Sequence, residues 1–265
     1  MAAISLTARP FNWINDKEGP NAIHGFVRSL LWNIAEVTPS SVLLTVTIYR
    51  DTYATRGYPF SLELQLSYSL DQLGLSCQFN IRNAGTARAP VGMGFHQYFP
   101  VGTVTIDEAE VRIPGTHYLE FGETLIPTGR LLPVQDSPWD CREFRRIGQT
   151  RFNHCYMRLQ PDQDGSCRVS LRNPKTGRTI AIGMDRAFTA LVVNTGDDCE
   201  FAKAGIGHRT HDLFDGCLQP SCLGDCECCH PARRTPAVIR SSPAVRRSTP
   251  PILVLLCHEK MRRAQ

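Results

Sequence analysis

The sequence predicts an all-β protein, an antiparallel β-sandwich, and three observations lead there. Between Ser40 and Ile113, short runs of β-branched, aromatic and alternating apolar residues follow one another. Turn signals interrupt them about every ten residues, as in sandwich folds. Nothing in that interval keeps a sustained helical period. A chain of 265 residues is long enough to bury one large core, and all-β domains of this size are often single.

The elements follow in order. Phe11-Asn12-Trp13 reads as a strand end, and Asp16-Lys17-Glu18-Gly19-Pro20 as a turn. Val42 to Tyr49 is β-branched and aromatic, bounded by Pro39-Ser40 and Arg50-Asp51. Phe60 to Tyr68 alternates strictly, so Leu62, Leu64 and Leu66 should share a buried face. Leu75 to Ile81 continues the pattern with Cys77, Phe79 and Ile81 on one face, and Asn83-Ala84-Gly85 turns the chain. Ala89 to Met93 reads as a strand, as do Val101–Ile106 and Glu110–Ile113. Leu119 to Arg151, with Pro127, Pro133, Pro138 and Gly129, reads as an irregular loop carrying one helical turn. Cys167–Leu171 and Thr179–Met184 form a hairpin around Asn173-Pro174-Lys175-Thr176-Gly177, and Ala190–Asn194 is the last strand with a clear signal.

Beyond that strand the composition changes. Seven of the eleven cysteines lie from Cys199 onward. From Pro231 there are eight lysines and arginines against one acid, so the tail carries +7 and the remainder −3 of the overall +4. The expected division is therefore a sandwich domain at 1–197, a cysteine-rich segment at 198–230 and a basic, disordered Pro/Arg-rich tail at 231–265. The cysteines at 217, 222, 226, 228 and 229 lack the paired C-x2-C units of structural zinc sites, so no metal is expected. The tail has no interleaved aromatic residues for base stacking, which argues against nucleic acid. No apolar run approaches the roughly 18 residues of a membrane helix. The N-terminus lacks the pattern of a secretory signal, so the expectation is a cytoplasmic protein without a membrane partner.

The chemistry concentrates in Gly92-Met93-Gly94-Phe95-His96-Gln97-Tyr98-Phe99-Pro100. Two glycines remove side-chain bulk, a histidine offers a proton near neutral pH, and Tyr98 and Phe99 offer flat faces. A sugar ring needs that combination of stacking surface and polar groups. The same residues would also suit a hydrogen-bonded core histidine.

The wider set of motifs resembles the aldose 1-epimerase (galactose mutarotase-like) family. It comprises His24-Gly25-Phe26-Val27-Arg28 with Trp32, then Gly57-Tyr58-Pro59-Phe60, Asn80 to Gly85 and Pro90 to Phe99. Leu125 to Arg130 and Phe152-Asn153-His154-Cys155-Tyr156 follow in the matching order. The resemblance covers roughly Ala8 to Asn194 and implies a galactose mutarotase-like supersandwich, here incomplete, with its N-terminus truncated and its C-terminus atypical. It further implies an isomerase that interconverts the α and β anomers of an aldose by acid–base ring opening, with no metal or organic cofactor. His96 takes the role of general acid, and His24, Arg28, Tyr98 and Asn153 those of sugar binding.

Two positions depart from the family pattern. Asn153 stands where the family has an aspartate, and Ala204, in Phe201 to His208, where it has the general-base glutamate. The departures leave open a carbohydrate-binding protein that has lost catalysis, or a truncated or frame-shifted inactive product with the frame changing near residues 196 to 204. The partner in every active reading is a small sugar, an aldohexose with or without a phosphate.

Overall fold

Alternating sequences become strands here because each pairing buries one face. The protein was analysed as a computed structural model, which describes residues 3–5, 10–12, 27, 30–54, 58–89, 91–95, 99–123, 127–195 and 234–243. In chain order these give β1 (Ala3–Ser5), β2 (Pro10–Asn12), β3 (Asn33–Thr38), β4 (Ser41–Ile48), a four-residue helix α1 (Arg50–Tyr53), β5 (Leu62–Asp71) and β6 (Gly74–Asn83). Then come β7 (Glu110–Arg112), β8 (Gly115–Phe121), β9 (Pro127–Pro133), β10 (Arg145–Arg146), β11 (Asn153–Leu159), β12 (Cys167–Arg172), β13 (Thr179–Met184), β14 (Ala190–Asn194) and β15 (Arg234–Pro243). All the pairings are antiparallel. Among the described residues no helix is long and apolar enough to cross a membrane.

One sheet has nine strands in the order β10-β7-β12-β13-β15-β6-β5-β4-β3, another four in the order β14-β11-β8-β9, and β1 pairs β2 separately. The alternation in β5 buries Leu62, Leu64 and Leu66, and in β6 Cys77 and Ile81, as expected. Two apolar clusters result. The larger runs from Leu66 and Cys77 through Val111, Ile113, Tyr156 and Leu171 to Val193. The smaller gathers Val46, Ile48, Phe60, Leu62, Leu64, Ile81 and Ala89. Trp32 and Met93 pack against both and join them.

Several segments differ from the sequence expectation. Residues 91–95 form no strand, and neither do Val101 to Thr105. Val101 and Ile106 are buried as single anchors, Gly102 has φ +81°, and the Gly102 carbonyl accepts a hydrogen bond from Asn173 Nδ2 at 3.0 Å instead of joining a ladder. Ile106–Glu108 is a 3-10 turn, and only Glu110–Arg112 of the next expected strand pairs. The expected loop from Leu119 to Arg151 holds the end of β8, then β9 and β10, and no helical turn lies among its described residues. Pro127 and Pro133 bound β9, which is an edge strand, where a missing N–H need not break a ladder.

Residues Arg234–Pro243, within the tail expected to lack structure, form β15 between β13 and β6. Proline is tolerated there because each one sits where the strand pairs on one side only. Pro236 lies opposite Asn80 of β6 and Pro243 opposite Ile180 of β13, whereas both neighbours are paired only over Ile239 and Arg240. The cysteine-rich stretch 217–230 lies outside the described residues.

Candidate functional site

Of the residues singled out by sequence, His24, Arg28, His96 and Tyr98 lie outside the described residues, and Asn153 lies within them. The structure does describe the neighbours of the two histidine motifs. Val27 within the first and Leu30 just after it both pack against the smaller apolar cluster. Leu30 N donates to Val27 O at 3.2 Å, and Trp32 Nε1 donates to the same carbonyl at 3.4 Å, which ties this turn to the tryptophan joining the two cores. Val91 and Met93 precede His96 in the second motif and pack against that same cluster.

The second motif is also fixed from below. Phe95 is buried, its ring 4.8 Å from Phe79 and 6.3 Å from Phe188, and Phe99 and Val101 belong to the larger core. Aromatic contacts of this kind hold a segment by area and by ring geometry together. Gly92 is exposed, and a Cβ placed there would meet nothing within 4 Å, so the chain before His96 borders open space.

Asn153 is exposed and opens β11 directly opposite Asn194, the last residue of β14. Its Oδ1 accepts a hydrogen bond from Asn194 Nδ2 at 3.4 Å. The next pairs on that face are Cys155–Val192 and Met157–Ala190, all apolar, so the two carboxamides stand where an apolar face reaches water. The ladder end is pinned beside them. Thr195 N donates to Phe152 O at 3.0 Å, and Phe152 N to Thr195 Oγ1 at 3.2 Å.

His154 points to the opposite face. Its ring lies 4.1 Å from Trp139 and 5.2 Å, edge-on, from Tyr118. Burial holds its pKa below the usual histidine value. Its Nδ1 accepts from the Asn153 backbone N–H at 3.2 Å, so the ring is neutral with its proton on Nε2. Trp139 is fixed in turn by its Nε1 donating to Arg151 O and by Tyr156 Oη donating to its carbonyl, each at 2.9 Å. Asn194 and Trp139 were not singled out by sequence. Both are revealed by cross-strand register and by packing of the segment before β11, which have no local signature.

Elsewhere, a cleft of about 510 Å³ is lined by Asp140, Arg142, Glu143, Phe144, Arg145 and Gln160, none of them a residue of the predicted site. Arg142 and Asp140 pair there at 2.9 and 2.7 Å. No cluster of metal-ligating side chains occurs among the described residues.

Comparison with known proteins agrees with the motifs. The family model for aldose 1-epimerase matches residues 4–222, past Asn194 and into the cysteine-rich stretch. The chain is 33% identical over 138 residues to galactose mutarotase of Sus scrofa, covering 49% of this chain and 38% of that protein. It is 32% identical over 216 residues to galactose mutarotase of Bos taurus, covering 76% and 60%. The chain thus spans 38% and 60% of the length of these curated relatives, less than two thirds of each. Among solved structures, the GalM/aldose epimerase homologue from C. elegans superposes with TM-score 0.71 at 13% identity, covering 92% of this chain and 78% of that one. At that identity the likeness shows the shared fold.

Proposed function

We propose, for a chain that belongs to the aldose 1-epimerase family, that it binds an aldose and speeds the exchange of its α and β anomers. The observation that supports this reading is that described residues beside both histidines rest on one cluster. Val27 and Leu30 beside the first, and Val91 and Met93 beside the second, pack on one small apolar cluster. Segments anchored on one cluster can present their polar groups to one ligand.

In this reading His96 delivers a proton to the ring oxygen as the ring opens and recovers it on closure. His24, Arg28, Tyr98 and Asn153 hold the hydroxyls and a ring face. A positioned acid and a positioned base each contribute about 10²- to 10⁴-fold. Ala204 offers no base at the position where the family resemblance expects one. The acceleration should therefore fall short of that of a two-residue pair by about 10²- to 10⁴-fold.

Polarimetry on freshly dissolved α-glucose or α-galactose tests the reading. Catalysed loss of rotation is expected with the native chain, and none above background with His96→Ala at unchanged melting temperature. A His96→Ala protein that keeps the full rate would remove His96 from the mechanism. Unchanged sugar affinity in His24→Ala would remove that residue from binding.

A further inference from the structure

We propose that Asn194 is a positioning residue that sets sugar specificity, by holding the Asn153 carboxamide with its nitrogen turned to the ligand so that the site accepts acidic sugars. The inference rests on the sugar-binding reading of Asn153 given above.

The two asparagines face each other across β11 and β14, and the Thr195–Phe152 bonds fix the register that brings them together. A carboxamide can present either its oxygen or its nitrogen, and what its neighbour donates decides which. Here Asn194 Nδ2 donates to Asn153 Oδ1, so the acceptor end of Asn153 is engaged. Asn153 Nδ2 has no hydrogen-bond partner among the described residues, and the residue is exposed. Asn153 therefore offers two N–H donors and no negative charge to whatever lies over this end of the sheet.

A carboxylate here would do the opposite, accepting from hydroxyls and repelling an anion. A donor pair suits an oxygen that only accepts, above all that of a carboxylate or phosphate. Hydrogen bonds to charged groups are the stronger class. The ligand class is thus an aldose bearing an acidic group near the strand end, either a uronic acid or a sugar phosphate.

Binding of glucose, glucuronate and glucose 6-phosphate to the full chain, measured by calorimetry, tests this. Three proteins are compared at matched melting temperature: native, Asn153→Asp and Asn194→Leu. In the native chain at least one acidic sugar should bind more tightly than glucose, and which one does tells carboxylate from phosphate. Asn153→Asp should weaken that sugar about tenfold or more relative to glucose, as expected when a charged hydrogen bond becomes a repulsion. Asn194→Leu frees the amide to turn and should lower the acidic-to-neutral ratio by about two- to fivefold, a change that loss of strand stability alone does not produce. Equal ratios in all three proteins, with glucose still bound, would overturn the role of the asparagine pair and leave the sugar site standing. Glucose bound and both acidic sugars refused would do the same. Failure to bind any of the three would remove the sugar site, and this proposal with it.

Discussion

The two ends of the molecule are packed very differently. From β7 to β14, strands and connections interlock, and Val111, Ile113, Val134, Tyr156, Leu171 and Val193 are fully buried. At the β3 end of the nine-stranded sheet the reverse holds. Every residue of β3 is exposed, with Ile34 at 67% and Val37 at 68%, and Leu70 and Leu73 nearby are also more than half exposed. Ile34 and Val37 lie opposite Leu44 and Val42 of β4, on the face that elsewhere in the sheet is core. Val27, Leu30, Val91 and Met93 of the two histidine motifs rest on the smaller cluster, whereas Leu44 and Leu66 beside this exposed edge, and Phe95 and Phe99, belong with the larger one. The proposed site therefore draws on both clusters, and Asn153 is carried by β11 of the tightly packed end. Local opening is expected to start at this thinly packed β3 end.

The contrast breaks most decisively at Tyr156. Its ring is fully buried, and its hydroxyl donates to the Trp139 carbonyl. Tyr156→Ala should cost about 3–5 kcal/mol, the range for losing a large buried ring. Val37→Ser at the other end should change stability by no more than about 0.5 kcal/mol, as exposed substitutions do. Urea unfolding of the two variants gives both numbers. Comparable losses would mean that the β3 end is covered in solution.

Gly115→Ala sharpens the same comparison at smaller scale. A Cβ at Gly115 would lie 2.8 Å from Tyr156 Cβ and 2.9 Å from Cδ1, and the buried ring has no room to withdraw. Overpacking of this kind costs about 1–3 kcal/mol. Gly129→Ala has open space around it but a φ of +88°, so its loss would report backbone strain alone. A Gly115→Ala melt that matches the native one would show that β8 and β11 can separate freely.

Much of the fold was legible because its strands carry local signals. The alternation from Phe60 to Ile81 put the right residues of β5 and β6 in the core, and Asn173 to Gly177 marked the β12–β13 hairpin. The misreadings share a cause. Pro127 and Pro133 looked like loop residues because sequence does not say which strand will be an edge. Val101 to Ile106 looked like a strand because single buried anchors and paired residues have the same composition. At the site, Asn153 was found through its motif, whereas Asn194, the residue 41 positions along the chain that donates to its side-chain oxygen, emerged only from register.

The smallest expected effect tests whether the tightly packed end responds to pH through His154. Burial against Trp139 and Tyr118 lowers its folded pKa below the ordinary 6.5, so the folded chain binds this proton less readily than the unfolded one. Its contribution is therefore present in full above about pH 6.5 and is lost as the pH falls through the folded value. Protonation would also remove the Nδ1 acceptor used by the Asn153 N–H, loosening the start of β11 where the proposed sugar contact lies. His154→Phe keeps an aromatic ring between Trp139 and Tyr118 and removes the titration. The melting temperature of the native chain should fall between about pH 8 and about pH 5 by more than that of the variant. The difference between the two curves isolates this one group from every other histidine and carboxylate. Parallel curves would show that His154 binds its proton equally in the folded and unfolded states, and that the pH response of the protein arises elsewhere.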